Sequence, residues 1–298
     1  MQRGGLYAAS AYVLWGVLPL FWKALHDVPA IEILAHRMVW SLLVVLLLLA
    51  YQGHWGWLRA ALRDRRTVLT FTTTAVVLSL NWFVYIWAVN AGHVVEASLG
   101  YFINPLVNVL LGRLFLRERL RLWQGIAIVI ALGGVLYLTV SYGVVPWIAL
   151  TLALSFGLYG LLRKTAALNS LEGLTMETLL LFFPALAYLL WLGMNDRGAF
   201  GTAGFTTTAL LAGSGIPTAL PLLLFAAGAR RITLTALGIL QYIAPSIQFA
   251  LGVLLYHEPL SQARLVGFGL IWVACALYTV ESISTGRGAA RRRVAATH

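Results

Sequence analysis

Residues 122–141 read LWQGIAIVIALGGVLYLTVS, and the run without Asp, Glu, Lys or Arg that they open continues to Leu162. A helix needs roughly 20 apolar residues to cross about 30 Å of hydrocarbon. This stretch is therefore one crossing, and the whole run is long enough for two, divided at the turn signal Tyr142-Gly143 before Pro146. Gly4–Trp22, Thr67–Val95, Ala97–Gly112, Gly198–Ala229 and Ile232–His257 are likewise free of charge.

The rest of the chain agrees with a bilayer as its solvent. Of 298 residues, 60% are hydrophobic and 10% charged, with a mean hydropathy of +0.85. Soluble domains carry about 25% charged residues, so a water-facing surface cannot be assembled from this composition. Cys275 has no partner cysteine, which excludes a disulfide framework. Only Arg3 precedes the first apolar stretch, and Ala9-Ser10-Ala11 comes before the hydrophobic region, so that stretch is expected to be an uncleaved first span.

Dividing the runs at charges, glycines and prolines predicts an all-α integral membrane fold. Its ten transmembrane helices fall near 5–23, 32–50, 67–90, 96–115, 122–141, 146–163, 174–193, 206–228, 232–256 and 264–283. The formal charge of +11 does not call for nucleic acid, because the basic residues fall between the spans. With the N-terminus inside, the inner loops and tail collect nearly all of them, leaving Lys23, Arg197 and Arg264 outside and Arg37 and Arg113 within spans. The positive-inside rule thus predicts both termini in the cytoplasm.

Shifting the sequence by 140 positions aligns Pro105 with Pro245, Gly112 with Gly252, Leu114 with Leu254, Glu118 with Glu258, and the amides Asn108 and Gln248. A shift of 141 pairs Gly16 and Lys23 with Gly157 and Lys164. Five spans per copy is an odd number, so the second copy is expected upside down, and such inverted repeats bind solutes near the midplane, between the copies. The expected division is residues 1–142, residues 143–285 and a basic tail, 286–298, expected to be disordered beside anionic lipid.

The segment Glu96-Ala-Ser-Leu-Gly-Tyr-Phe-Ile-Asn-Pro-Leu-Val-Asn-Val-Leu-Leu-Gly112, running on to Arg117-Glu118-Arg119-Leu120, resembles the RarD-type (chloramphenicol-sensitive protein) family. That family belongs to the EamA branch of the drug/metabolite transporter superfamily. Glu32-Ile-Leu-Ala-His-Arg37, Asn81-Trp-Phe-Val-Tyr-Ile-Trp-Ala-Val-Asn90 and Leu237-Gly-Ile-Leu-Gln-Tyr-Ile-Ala-Pro245 carry the same likeness, which extends from Tyr12 to Tyr278. The resemblance implies two inverted five-helix halves in a bacterial inner membrane and secondary export of metabolites or drugs. It implies no substrate and no inherited set of binding residues.

The chemistry read from the residues fits a permease. No phosphate-cradling Gly-x-x-x-x-Gly-Lys-Ser/Thr loop occurs, so ATP is not the expected energy source. Neither His-Glu-x-x-His nor Gly-x-Ser-x-Gly is present, and no enzyme, metal or cofactor is expected. Every acid maps to a loop or helix end, Glu177 among them, which predicts a polar, uncharged central cavity for neutral, zwitterionic or amphiphilic solutes.

The residues expected along the solute pathway are Trp15, Asn81, Tyr85, Tyr101, Asn104, Asn108, Tyr159, Gln241, Tyr242 and Gln248. Their other reading is packing glue, hydrogen-bonding helix to helix for about 1 kcal/mol each. Pro105 and Pro245 are the expected helix kinks. Glu32, His36, Arg37 and Glu96 are candidates for gating or for coupling to protons. Against that stands Arg37 snorkelling to the headgroups, with Glu32 and Glu96 as favourable charges at helix N-termini. The alternatives to an exporter are a lipid or lipid-linked flippase and a facilitator without coupling.

Overall fold

The computed structural model describes residues 2–53, 55–91, 93–143, 147–255 and 262–295. They form thirteen helices. The first seven are α1 (Gln2–Lys23), α2 (Ala30–Gln52), α3 (Gly56–Arg63), α4 (Arg65–Asn90), α5 (Val94–Phe115), α6 (Leu122–Tyr142) and α7 (Trp147–Thr165). The rest are α8 (Ser170–Met194), α9 (Phe205–Gly213), α10 (Gly215–Ala229), α11 (Leu234–Gln241), α12 (Ile243–Leu254) and α13 (Gln262–Ala295).

Among the described residues, eight stretches are long and apolar enough to cross a membrane, and Leu99–Phe115 is a shorter apolar helix. Large side chains such as Leu47, Val76, Val140 and Leu190 stand exposed on the outside, as a hydrocarbon solvent permits. Among the described residues each expected segment is largely helical, but with differences that have physical causes. The eighth breaks at Ser214 into α9 and α10, and the ninth at Tyr242 into α11 and α12. Each break lies three residues before a proline, Pro217 and Pro245, whose missing N–H cannot bond the carbonyl four residues back. α5, by contrast, runs through Pro105 without interruption. The short helix α3 lies in the loop between the second and third segments. α13 continues to Ala295, so the basic tail up to that residue is helical, where disorder was expected.

Local chemistry sets several boundaries. α2 ends on Gly53 at φ 66°, whose N–H reaches the carbonyls of Leu49 and Ala50. Asp64 accepts from the Thr67 hydroxyl and from the N–H groups of Arg66 and Thr67, which starts α4 and holds its carboxyl below the usual range. α8 starts on a capping box in which the Asn169 side chain accepts from Glu172 N while the Glu172 side chain accepts from Asn169 N.

The helices pack in a set of pairs: α1 on α10, α11 and α12; α7 on α4 and α5; α2 on α10 and α8; α4 on α8; α5 on α11; and α6 on α13. The largest buried cluster joins α1, α2, α7, α8, α10 and α11 through Tyr12, Val45, Tyr159, Leu174, Phe225 and Leu237. Two crossings need the absence of a side chain. A Cβ on Gly215 would lie 2.4 Å from the Trp40 carbonyl, and one on Gly238 would lie 2.7 Å from the Pro105 oxygen. Gly215→Ala should therefore destabilise the protein by about 1–3 kcal/mol, seen as a lower unfolding midpoint in detergent. Gly213→Ala, where a Cβ meets nothing within 4 Å, should leave the midpoint in place.

Candidate functional site

A cavity of about 750 Å³ enters between the helices at one end of the molecule. Its mouth is formed by the α1–α2 connection, with Leu25, His26, Asp27, Val28 and Pro29, and it descends to Tyr12, Asn104 and Gln241. Tyr12 lies midway along α1, so the cavity stops about halfway through. α1, α2, α4 and α5 line one part of it, and α7, α8, α10, α11 and α12 the other.

Of the residues expected on a solute pathway, Trp15, Asn81, Tyr85, Tyr101, Asn104, Gln241 and Gln248 line this cavity, as do Pro245 and Arg37. Asn108, Tyr159 and Tyr242 do not. Asn108 is buried beneath the floor, where its Nδ2 donates to Asn104 Oδ1 (3.1 Å) and Gln241 Oε1 (3.2 Å). The Tyr159 hydroxyl donates to Glu177 Oε2 (3.2 Å), and that of Tyr242 to the Phe102 carbonyl (3.1 Å). Pro105, an expected kink, packs its carbonyl on Gly238 and is not a lining residue.

The lining amides also hold helices together. Asn81 Nδ2 donates to Leu152 O and Ser155 Oγ, both at 2.9 Å, tying α4 to α7. Asn104 Nδ2 donates to Ala153 O (2.7 Å), tying α5 to α7, and Gln248 Nε2 to Trp15 O (3.3 Å), tying α12 to α1. Glue and lining are thus one set of residues.

The charges sit differently from expectation at three points. The cavity is not free of fixed charge, because Arg37 stands in its wall. Nor does Arg37 snorkel out to headgroups: its Nε donates to Thr218 Oγ1 at 3.0 Å, and its guanidinium carbon sits 4.6 Å from the Trp22 ring centre and 4.9 Å from that of Trp82. Glu177 is not at a helix end either. The capping box starts α8 at Ser170, four residues earlier than expected, which places Glu177 in the third turn at 1% exposure, 3.7 Å from the equally buried Arg163 Nε.

Glu32 and His36 lie outside the cavity wall. Glu32 Oε1 accepts from Ala199 N (2.7 Å) and stands 3.9 Å from His36 Nε2, while His36 stacks on Phe200 and accepts from Trp40 Nε1 (3.2 Å). This cluster fastens the start of α2 to the α8–α9 connection. The side chain of Glu96 lies outside the described residues.

The opposite end is shut. Glu118 Oε1 accepts from Leu234 N (2.6 Å) and Oε2 from Thr235 N (3.0 Å) and Thr235 Oγ1 (2.8 Å), so a carboxylate caps the N-terminus of α11. Lys164 Nζ donates to the carbonyls of Ala229 and Ile232, and Arg230 Nη1 to those of Ala166 (2.7 Å) and Leu168 (2.6 Å). These groups gather beside the start of α1, where Gly4 meets Arg231 and Ile232, about 27 Å from Trp22 at 1.5 Å rise per residue. Nothing in the sequence pattern marks Trp22, Trp82, Phe156, Tyr188 and Thr218 for the cavity, and only the pairing of Glu118 with Glu258 hints at its capping role.

The EamA-like transporter family profile matches residues 2–140. Protein RarD of Streptomyces exfoliatus is 49% identical over 99% of this chain and 94% of its own. The uncharacterized transporter YojE of Bacillus subtilis is 45% identical over 96% of both chains, and Protein RarD of Escherichia coli 40% identical over 96% of this chain and 97% of its own. A solved protein crystal structure shares the fold at a TM-score of 0.73 and 21% identity, covering 96% of this chain and 99% of that one.

Asn108→Leu strands the acceptors of Asn104 and Gln241 in a buried place and should cost about 1–3 kcal/mol of stability, read as a lower unfolding midpoint. Gln248→Leu, which loses one longer bond beside the cavity, should cost less; equal losses would refute the distinction between floor and wall.

Proposed function

The chain belongs to the EamA-like transporter family, in its RarD-type branch, and from that premise we propose that it is a secondary transporter of small amphiphilic or zwitterionic solutes working by alternating access. It crosses a bacterial inner membrane ten times with both termini in the cytoplasm, and a gradient rather than ATP drives export.

The observation that carries this reading is a cavity open at one end and sealed at the other by side chains holding main-chain groups. The packing pairs support the inverted halves. Exchanging α1 with α7, α2 with α8, α4 with α9–α10, α5 with α11–α12 and α6 with α13 turns the contact of α1 on α10 into that of α7 on α4. It also turns α1 on α12 into α7 on α5, and α2 on α10 into α8 on α4, while α2 on α8, α5 on α11 and α6 on α13 map onto themselves. The cavity lies along that seam. Arg117, Arg119, Arg163, Lys164, Arg230 and Arg231 gather at the sealed end, which the positive-inside rule assigns to the cytoplasm, so the cavity faces outward.

Alternation requires that the two ends be coupled, and opening the cytoplasmic seal should draw molecules away from the outward-facing form. In right-side-out vesicles, a Cys275→Ser chain carrying Leu34→Cys in the cavity wall should react with an impermeant maleimide added outside. Glu118→Ala removes the carboxylate that accepts three hydrogen bonds at the seal and should slow that labelling roughly fivefold. An unchanged rate, with the variant folded, would refute the coupling of the two ends.

A further inference from the structure

Arg37 is the feature of the cavity that the transport reading leaves unexplained. It sits in the third turn of α2, inside an apolar segment, where a permanent charge is costly and is kept for a purpose. A guanidinium does not lose its proton in a protein, so Arg37 keeps its positive charge at every working pH. Among the described residues no carboxylate pairs with it; the one acid in the lining, Asp27, is at the mouth, 88% exposed and 3.1 Å from His26 Nε2.

The surroundings fix how the group can be used. Trp22 and Trp82 cover the guanidinium and Thr218 takes its Nε–H, joining α1, α4 and α10 around one side chain of α2. That leaves the two terminal nitrogens with no hydrogen-bond partner among the described residues, on a residue that keeps some accessible surface in the cavity wall. Two parallel N–H groups on a held plane match the two oxygens of a carboxylate. Meanwhile the amide nitrogens of Asn81, Asn104 and Gln248 each donate to an oxygen of another helix. Trp15, Trp82, Phe156, Tyr85, Tyr101 and Tyr188 supply apolar and aromatic wall for the body of a solute.

Resting on the transport reading, we propose that Arg37 is the anion anchor of the cavity and that the solutes carried bear a carboxylate on an aromatic or aliphatic body. The guanidinium fork takes the carboxylate edge-on between the two indoles, and the aromatic wall takes the body.

The test is equilibrium dialysis of the full-length protein in phosphatidylcholine nanodiscs with radiolabelled phenylacetate and indole-3-acetate as probes. Unlabelled acid should compete at least about tenfold better than phenylacetamide or phenethylamine, which share its body without its charge. Arg37→Gln should erase that preference, and Arg37→Lys, which keeps the charge and loses the fork, should restore part of it, both with a cooperative unfolding transition. Amide competing as well as acid, no saturable binding of either acid, or an unchanged preference in Arg37→Gln would each overturn the proposal. Loss of acid binding in discs containing phosphatidylglycerol would overturn it too, giving the anchor to a lipid headgroup. The maleimide experiment separates the two readings: coupled ends without acid preference would defeat only the solute class, whereas acid binding with uncoupled ends would defeat transport.

Discussion

A main-chain amide or carbonyl left without a partner in hydrocarbon costs several kcal/mol, and the helix breaks among the described residues are placed under that constraint. Long helices satisfy the backbone by themselves. Where the chain departs from regular helix, at Ser214 and Tyr242, the flanking segments are packed among neighbours: Gly215 against the backbone of Trp40, and the Tyr242 hydroxyl on the Phe102 carbonyl. Helix ends obey the same rule. The N–H groups at the start of α11 are met by Glu118, and the carbonyls at the end of α10 by Lys164.

The same economy explains why the cavity wall cannot be divided into structural and solute-facing residues. Asn81, Asn104 and Gln248 each donate to a backbone or hydroxyl oxygen of another helix, and each also borders the hollow. Beneath them the packed aromatic group of Tyr12, Trp15, Phe156, Tyr159 and Phe225 closes the floor, with neighbouring ring centres 5.3–6.2 Å apart. A polar rim over an aromatic plug accounts for a cavity that ends midway.

Much of this was legible in the residues. Charge-free runs located the helical segments, and the stripe of Tyr101 and Asn104 with Gln241 and Gln248 located the hollow, because residues on one face of a helix share one environment. What escaped depended on facts that periodicity does not carry. Glu177 lies in the core because the Asn169–Glu172 capping box starts α8 four residues before the expected start, and a shift of that size moves a side chain from a helix end inward. Asn108 shares its helix face with Asn104 but falls one turn below the floor, and only the depth of the hollow separates the two roles. For Arg37 the sequence leaves gating and snorkelling open, because nothing local announces that Trp22, Trp82 and Thr218 converge on it from three other helices.

The seal at the far end is built almost wholly from side chains that grip main-chain atoms: Glu118 on the amides of Leu234 and Thr235, Lys164 on the carbonyls of Ala229 and Ile232, Arg230 on those of Ala166 and Leu168. A peptide group is the same whichever residue bears it. The gripped positions are therefore free to drift in evolution without loosening the hold, and paired substitutions between the two sides carry little trace of it. Searches for co-varying residues would pass over this part of the molecule, whereas a single invariant acid or lysine is the mark it would leave.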